Sequence, residues 1–273
     1  MKISATSALV LNWTDPALWK SPEAIAYNQN LDVSEGEKLF QLFSAEESFM
    51  HLQSVSGRKY FMKNTVCNFL DALHKQDLSG QVLILAAGLA PLSIEIASLF
   101  PSSQVFDVDK YLMHDKHALV NGEPQNIEFI ACDITDLSSL QEQLTKHDFN
   151  KDKPSIAVME GIIYYLPLDG LKSIMKFLWQ NHMAFACDIC LKPELVHVQT
   201  RKYVTDVFRK IKDEVGLDFI NFYSAEEITS LLEEAGYTKI RVTNMQHIQK
   251  ERTGDQYPFT ETDSCWVMTV YAE

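Results

Sequence analysis

Basic residues are in short supply. The 273-residue chain carries 24 Lys and Arg against 37 Asp and Glu, a formal net charge of −13 at pH 7. A nucleic-acid partner is therefore not expected, because neutralising phosphates draws on surplus cations. Apolar runs of membrane-spanning length are missing as well, so no membrane insertion is expected. The stretch from Met1 to Ser7 leads into a short apolar segment broken by Asn12, Asp15 and Pro16, unlike a secretory leader. Cysteines are few and odd in number: Cys67, Cys132, Cys187, Cys190 and Cys265. Scattered through apolar runs, they fit reduced thiols in a cytoplasmic protein. Cys187 and Cys190 have CxxC spacing but no second CxxC, and they sit in a strand-like run, which predicts buried structural thiols. His114, Asp115 and His117 lie on a helix-surface pattern and predict a solvated face, so no metal is expected.

What is present is an apolar content of 46%, ample for a core. Residues 1–78 show no strand alternation. Ser34 opens one helical pattern there, and Tyr60 to His74 carries apolar residues at helical spacing. From residue 79 onward strands and helices alternate. Strands are predicted at 81–86, 104–108, 126–131, 155–160 and 182–189, with helices at 91–100, 110–120, 136–147 and 168–180 between them. Alternation on that scale predicts an α/β fold, a mostly parallel sheet with helices on both faces. Ser224 and Glu227 form a capping-box pattern ahead of a helix that Gly236 stops. Strands at 237–244 and 264–271, joined by a polar loop through Thr253–Gly254–Asp255, predict a closing hairpin and an antiparallel last strand.

The most informative segment is the strand Gln81–Leu85 with the turn Ala86–Ala87–Gly88–Leu89–Ala90–Pro91. A second strand follows and ends in acid at Asp107–Val108–Asp109. A small-residue turn lets a ligand approach the backbone, and an acid at the next strand end accepts hydrogen bonds from ribose hydroxyls. The three glycines of a dinucleotide turn are not there. A ligand with ribose but no pyrophosphate fits better, and S-adenosylmethionine is the commonest of these.

The turn at Ala86–Leu89 and the acid-ended strand Asp107–Asp109 are joined by two further segments. These are Cys132–Asp133–Ile134–Thr135–Asp136–Leu137 and Glu160–Gly161–Ile162–Ile163–Tyr164–Tyr165–Leu166–Pro167. Together they resemble the leucine carboxyl methyltransferase family, a branch of the class I S-adenosylmethionine-dependent methyltransferases, over roughly residues 55–240. The resemblance implies a Rossmann-like sheet, mostly parallel with an antiparallel last strand, behind an N-terminal helical lid. It places Ala86, Gly88 and Glu160 at the methionyl part of the cofactor, Asp109 at the ribose, and Asp133 and Ile134 at the adenine. A basic residue on the last helix before the first strand should meet the cofactor carboxylate. Arg58 and Lys63 are the candidates, with Lys63 in the family's register. The family's first turn glycine is replaced by Ala86, and its usual acid by Ala90.

Methyl transfer from a sulfonium requires alignment and water exclusion more than proton transfer. Tyr164 and Tyr165 are candidate walls of the reacting site, and equally candidates for the core. Arg201, in a basic run within the segment 192–222, is a candidate anchor for an anionic substrate. That segment and residues 1–78 are expected to cover the sheet edge as a lid, with residues 79–273 as the cofactor-binding domain. No Ser-His-Asp set or paired-acid constellation is evident. The expected activity is O-methylation of a carboxylate on a small molecule or a peptide or protein C-terminus. The alternatives are a hydroxyl O-methyltransferase and a catalytically degenerate binding subunit. Asp107 reads equally as an outward-facing charge or a functional one. Glu160 follows the apolar run Ile156–Met159, so its charge needs a partner.

Overall fold

The computed structural model describes residues 5–120, 124–215 and 220–273. Residues 1–4 and 216–219, which belong to the two expected cover segments, lie outside them. The N-terminal part is helical: α1 (Ala5–Asn12), α2 (Pro22–Gln29), α3 (Ser34–Phe40) and α4 (Ala45–His74). The Ser44 hydroxyl accepts from the Glu47 N–H and the Glu47 carboxylate accepts from the Ser44 N–H, the reciprocal cap that starts α4. With 30 residues, α4 is about 45 Å long.

The alternating part follows as β1 (Gln81–Leu85), α5 (Leu92–Leu99), β2 (Gln104–Asp109), α6 (Met113–Val120), β3 (Ile127–Ala131), α7 (Leu137–Lys146), β4 (Ser155–Met159), α8 (Leu168–Gln180) and β5 (Met183–Cys190). After it come α9 (Arg201–Val215), α10 (Ala225–Ala235), β6 (Ile240–Asn244), α11 (Met245–Thr253) and β7 (Val267–Ala272). The described strands form one sheet in the order β3-β2-β1-β4-β5-β7-β6. The first five are parallel, and β7 runs antiparallel between β5 and β6. Every residue of β1, β4 and β5 is buried, as continuous apolar strands covered on both faces must be. No described helix is long and apolar enough to cross a membrane.

The predicted closing strands are found, but their connection differs. Nine residues of the expected polar loop form α11, capped by the Asn244 side chain and ended by Gly254 in the left-handed region. Its residues are mostly polar, and only Met245, Ile248 and Gln249 are buried. That stripe is too narrow to read as an apolar face.

Strand register sets the site. Leu85 is level with Met159 and Met159 with Cys187, so Ala86, Glu160 and Asp188 emerge side by side at the carboxyl end of the sheet. Asp109, level with Ala131, ends the neighbouring strand. Over this edge lies α1, held by a second, smaller apolar cluster. Leu9 and Trp13 meet Leu39, Phe43, Val55, Val207 and Ile211 there. The crossing of α1 and α3 is close: a Cβ on Gly36 would lie 2.5 Å from the Ala8 carbonyl carbon. Gly36→Val should push the helices apart and lower the unfolding free energy by about 1–3 kcal/mol. Urea denaturation with an unchanged midpoint would show that the crossing tolerates the extra bulk.

Candidate active site

The turn after β1 keeps a single glycine, Gly88. Ala86 takes φ +53° and Gly88 φ +52°. Left-handed geometry costs a residue with a Cβ about 1–2 kcal/mol. Side chains and backbone hold the turn. The Ala87 N–H donates to the Val108 carbonyl (3.1 Å), and the Gly88 N–H donates to Asp109 Oδ2 (2.9 Å). Asp109 Oδ1 accepts from the Tyr111 N–H (2.9 Å). A Cβ on Gly88 would meet nothing within 4 Å, so the backbone there borders open space.

Beside the turn sits a buried group of four charges. Arg58 and Lys59 come from α4, Glu160 from the end of β4, and Asp188 from within β5. Glu160 Oε1 accepts from Lys59 Nζ at 2.7 Å and from Arg58 Nε at 3.2 Å. Arg58 Nη1 lies 3.7 Å from Asp188 Oδ2 and donates to the Tyr164 hydroxyl at 3.2 Å. Asp188 Oδ1 accepts from the Gly161 N–H at 2.6 Å. Burial raises the Glu160 carboxyl, but the Lys59 ammonium and Arg58 guanidinium outweigh it and hold the acid below its ordinary value. Burial raises Asp188, against the pull of Arg58. Burial also lowers Lys59, with Glu160 opposing, and pushes the Tyr164 phenol well up.

Arg58, Lys59 and Glu160 open onto a cavity of about 270 Å³. The turn 86–90 forms its floor, Arg58, Lys59 and Glu160 one wall, and Tyr164 and Tyr165 another. Its roof is α1, through Thr6, Val10 and Leu11. The ring of Phe208 on α9 packs on Tyr164 at 5.7 Å.

Six of the sequence-derived candidates therefore meet at one cavity: Arg58, Ala86, Gly88, Glu160, Tyr164 and Tyr165. Asp109 stands beside it, bonded to its floor. Asp133 and Ile134 lie further along the sheet edge, outside the lining. Asp133 pairs with Lys110 at 2.9 Å and accepts from the Thr135 N–H and hydroxyl, which hold its carboxyl down at about 2. Lys63 lies elsewhere. Its ammonium pairs with Glu95 at 3.0 Å and donates to the Leu18 carbonyl, and it does not line the cavity. Glu95 in turn accepts from the Lys20 and Ser21 N–H groups. Arg201 is also outside the lining: its guanidinium donates to the Val196 and Glu194 carbonyls and ties down the start of its own helix. Cys187 and Cys190 are buried free thiols. Lys59 and Lys116 escaped the sequence reading, although both line the cavity. Lys59 adjoins a residue singled out beforehand, whereas Lys116 carried no signal. Asp107 faces inward and pairs with Lys116 at 2.7 Å.

Residues 29–179 match the family described as leucine carboxyl methyltransferase. The chain belongs to that family. It is a methyltransferase, and its cofactor is S-adenosylmethionine. No curated protein matches in sequence. Among solved structures the chain resembles a DUF574 family protein of Streptomyces avermitilis, at 13% identity and a TM-score of 0.68, over 98% of this chain and 96% of that one. A Thermobifida fusca protein matches at 14% identity and 0.62, over 95% and 94%. The magnesium protoporphyrin IX methyltransferase of Synechocystis, solved with SAH bound, matches at 12% identity and 0.51, over 88% and 94%. At these identities the likeness is one of fold.

The strained turn yields a direct test. Ala86→Gly should relieve the left-handed alanine and raise the unfolding free energy by about 1 kcal/mol. A lower denaturation midpoint in the glycine variant would show that the alanine is accommodated without strain.

Proposed function

We propose that this methyltransferase esterifies a carboxylate, on a small molecule or at a peptide or protein C-terminus. The observation that carries this reading is the pairing in the cavity. Among the described lining residues, the acid Glu160 is taken up by Arg58 and Lys59, and the tyrosines are pushed away from ionisation. That leaves no paired base to strip a proton from a hydroxyl. A carboxylate is already ionised at neutral pH and needs none.

The residues also fit the cofactor. Its amino-acid end is zwitterionic, and the cavity wall offers two cations and a carboxylate within hydrogen-bond reach of one another. In this reading Glu160 receives the ammonium, Arg58 and Lys59 the carboxylate, and the open backbone at Gly88 lets the chain pass close. Asp109 keeps lone pairs for ribose hydroxyls while it braces the Gly88 N–H. Asp133 and Ile134, at the end of β3, border the adenine. When bound, S-adenosylmethionine supplies an electrophilic methyl group. The protein's part is to orient the acceptor between Tyr164, Tyr165 and the turn, and to exclude water. The N-terminal segment 1–78 and the segment around α9 supply that exclusion, with 79–273 as the cofactor-binding domain. Val10 and Leu11 present apolar side chains from above, and Phe208 backs Tyr164 from the side.

Transfer of labelled methyl to substrate, followed by base treatment, tests the acceptor. Release of labelled methanol is expected from a methyl ester, and a base-stable label would assign a hydroxyl acceptor instead. Glu160→Gln and Arg58→Met should each weaken cofactor binding by about 1.5–3 kcal/mol, the range for hydrogen bonds to charged groups. Titration calorimetry on folded variants with wild-type affinity would remove those assignments.

A further inference from the structure

Every carbonyl from Gly88 to Ala90 is held by a side chain from another helix. Lys116, on α6, donates its Nζ to the Ala90 carbonyl at 2.8 Å and to the Gly88 carbonyl at 3.3 Å. Tyr27, on α2, donates its hydroxyl to the Leu89 carbonyl between them at 3.2 Å. The side chains of Lys116 and Asp107 are both 0% exposed, and they pair at 2.7 Å. Asp107 lies within β2, so the ammonium is tied to the strand that also carries Asp109.

A buried ion pair of this kind is weak evidence for stability, because desolvating both charges offsets their attraction. Its geometry suggests another role. Glycine-rich turns bind ligands because their backbone reaches left-handed geometry at little cost. Here one of the two left-handed positions is an alanine, so the conformation needs external restraint. An ammonium offers three donors from a single point. It can therefore grip two carbonyls on a curved backbone and still pair with a carboxylate.

We infer that Lys116, with Asp107 behind it and Tyr27 beside it, positions the cofactor-binding turn, in which Ala86 stands in place of a glycine. These are positioning residues, and the inference rests on the cofactor occupying the cavity above the turn. Lys116 grips the turn, which borders the methionyl end, so its loss should be felt there more than at the adenosine end.

The test compares S-adenosylhomocysteine with adenosine, both titrated into purified full-length protein. Lys116→Met should raise the S-adenosylhomocysteine Kd about tenfold or more, the equivalent of losing one charge-assisted hydrogen bond, while adenosine shifts far less. The double variant Asp107→Asn with Lys116→Met avoids stranding a buried charge, and it should show the same split with near-native unfolding. Tyr27→Phe removes a hydroxyl only and should give a smaller change in the same direction, so the inference can be tested even if Lys116 variants do not fold. Wild-type binding with unchanged S-adenosylhomocysteine affinity in the folded variants overturns the inference alone. Equal losses for both ligands overturn it too, by marking a general structural role. A wild-type protein that binds neither ligand overturns the cofactor reading with it.

Discussion

The structure depends on neutralising charge where water is excluded. Arg58, Lys59, Glu160 and Asp188 come from a helix and two strands that are far apart in sequence, and each is nearly or wholly hidden. Removing one member of such a set strands the others, at about 3–5 kcal/mol. The set closes only when α4 lies across the ends of β4 and β5 in one register. Neighbouring residues on a helix diverge by about 100°, yet Arg58 and Lys59 both reach a single Glu160 oxygen. That convergence fixes both the rotation of α4 and its height above the sheet. The ion network is therefore first a positioning device, and the wall of the cavity follows from it.

The same accounting extends across the interior. Among the described residues the buried cations are Arg58, Lys59, Lys63 and Lys116, and the buried acids are Glu95, Asp107 and Asp188. By side-chain exposure Glu160 (10%) joins the acids and Arg252 (8%) the cations, which makes four acids and five cations. A chain with a formal charge of −13 thus carries its excess of acid outside this described interior. Three ion clusters join elements of the fold: Lys63–Glu95 joins α4 to α5, Lys116–Asp107 joins α6 to β2, and the quartet joins α4 to the sheet. Scarce cations are spent where elements must meet at fixed distances.

This arrangement explains which features the sequence disclosed. Parallel strands buried on both faces are continuous apolar runs, so β1 to β5 and the turn after β1 are visible, and the residues at strand ends follow directly. Partners across the fold are a different matter. Glu95 looks like an ordinary acid in the first turn of α5, and nothing local links it to Lys63, 32 residues earlier. The family register therefore pointed to Lys63 beside Arg58, and only the pairing of α5 with α4 shows that Lys63 is taken up by Glu95. Arg201 is similar: a basic residue in an amphipathic helix reads as a charge for a substrate, until its guanidinium is found bonding the carbonyls of the preceding loop. Asp107 and Asp109 are two apart on one strand, and strand geometry sends both to the same face. Which of the two is buried and paired depends on α6, whose Lys116 has no signature in its own segment.

The cover over the cavity follows a different rule from its floor. An eight-residue helix such as α1 is too short to be stable alone in water. Its order comes from packing, and much of that packing lies in a separate cluster built by α3, α4 and α9. The floor belongs to the main core, where a shift in one strand would disturb every neighbour. A cover with its own small core can change its sequence or position without unpacking the sheet. The Lys116–Asp107 restraint on the 86–90 turn lies outside that small cluster, whereas Tyr27 reaches the turn from the N-terminal helices. On the proposed reading, alignment at the turn and acceptor selection at the roof draw on different apolar clusters, so the fold could keep one methyl donor while the cover adapts to the acceptor.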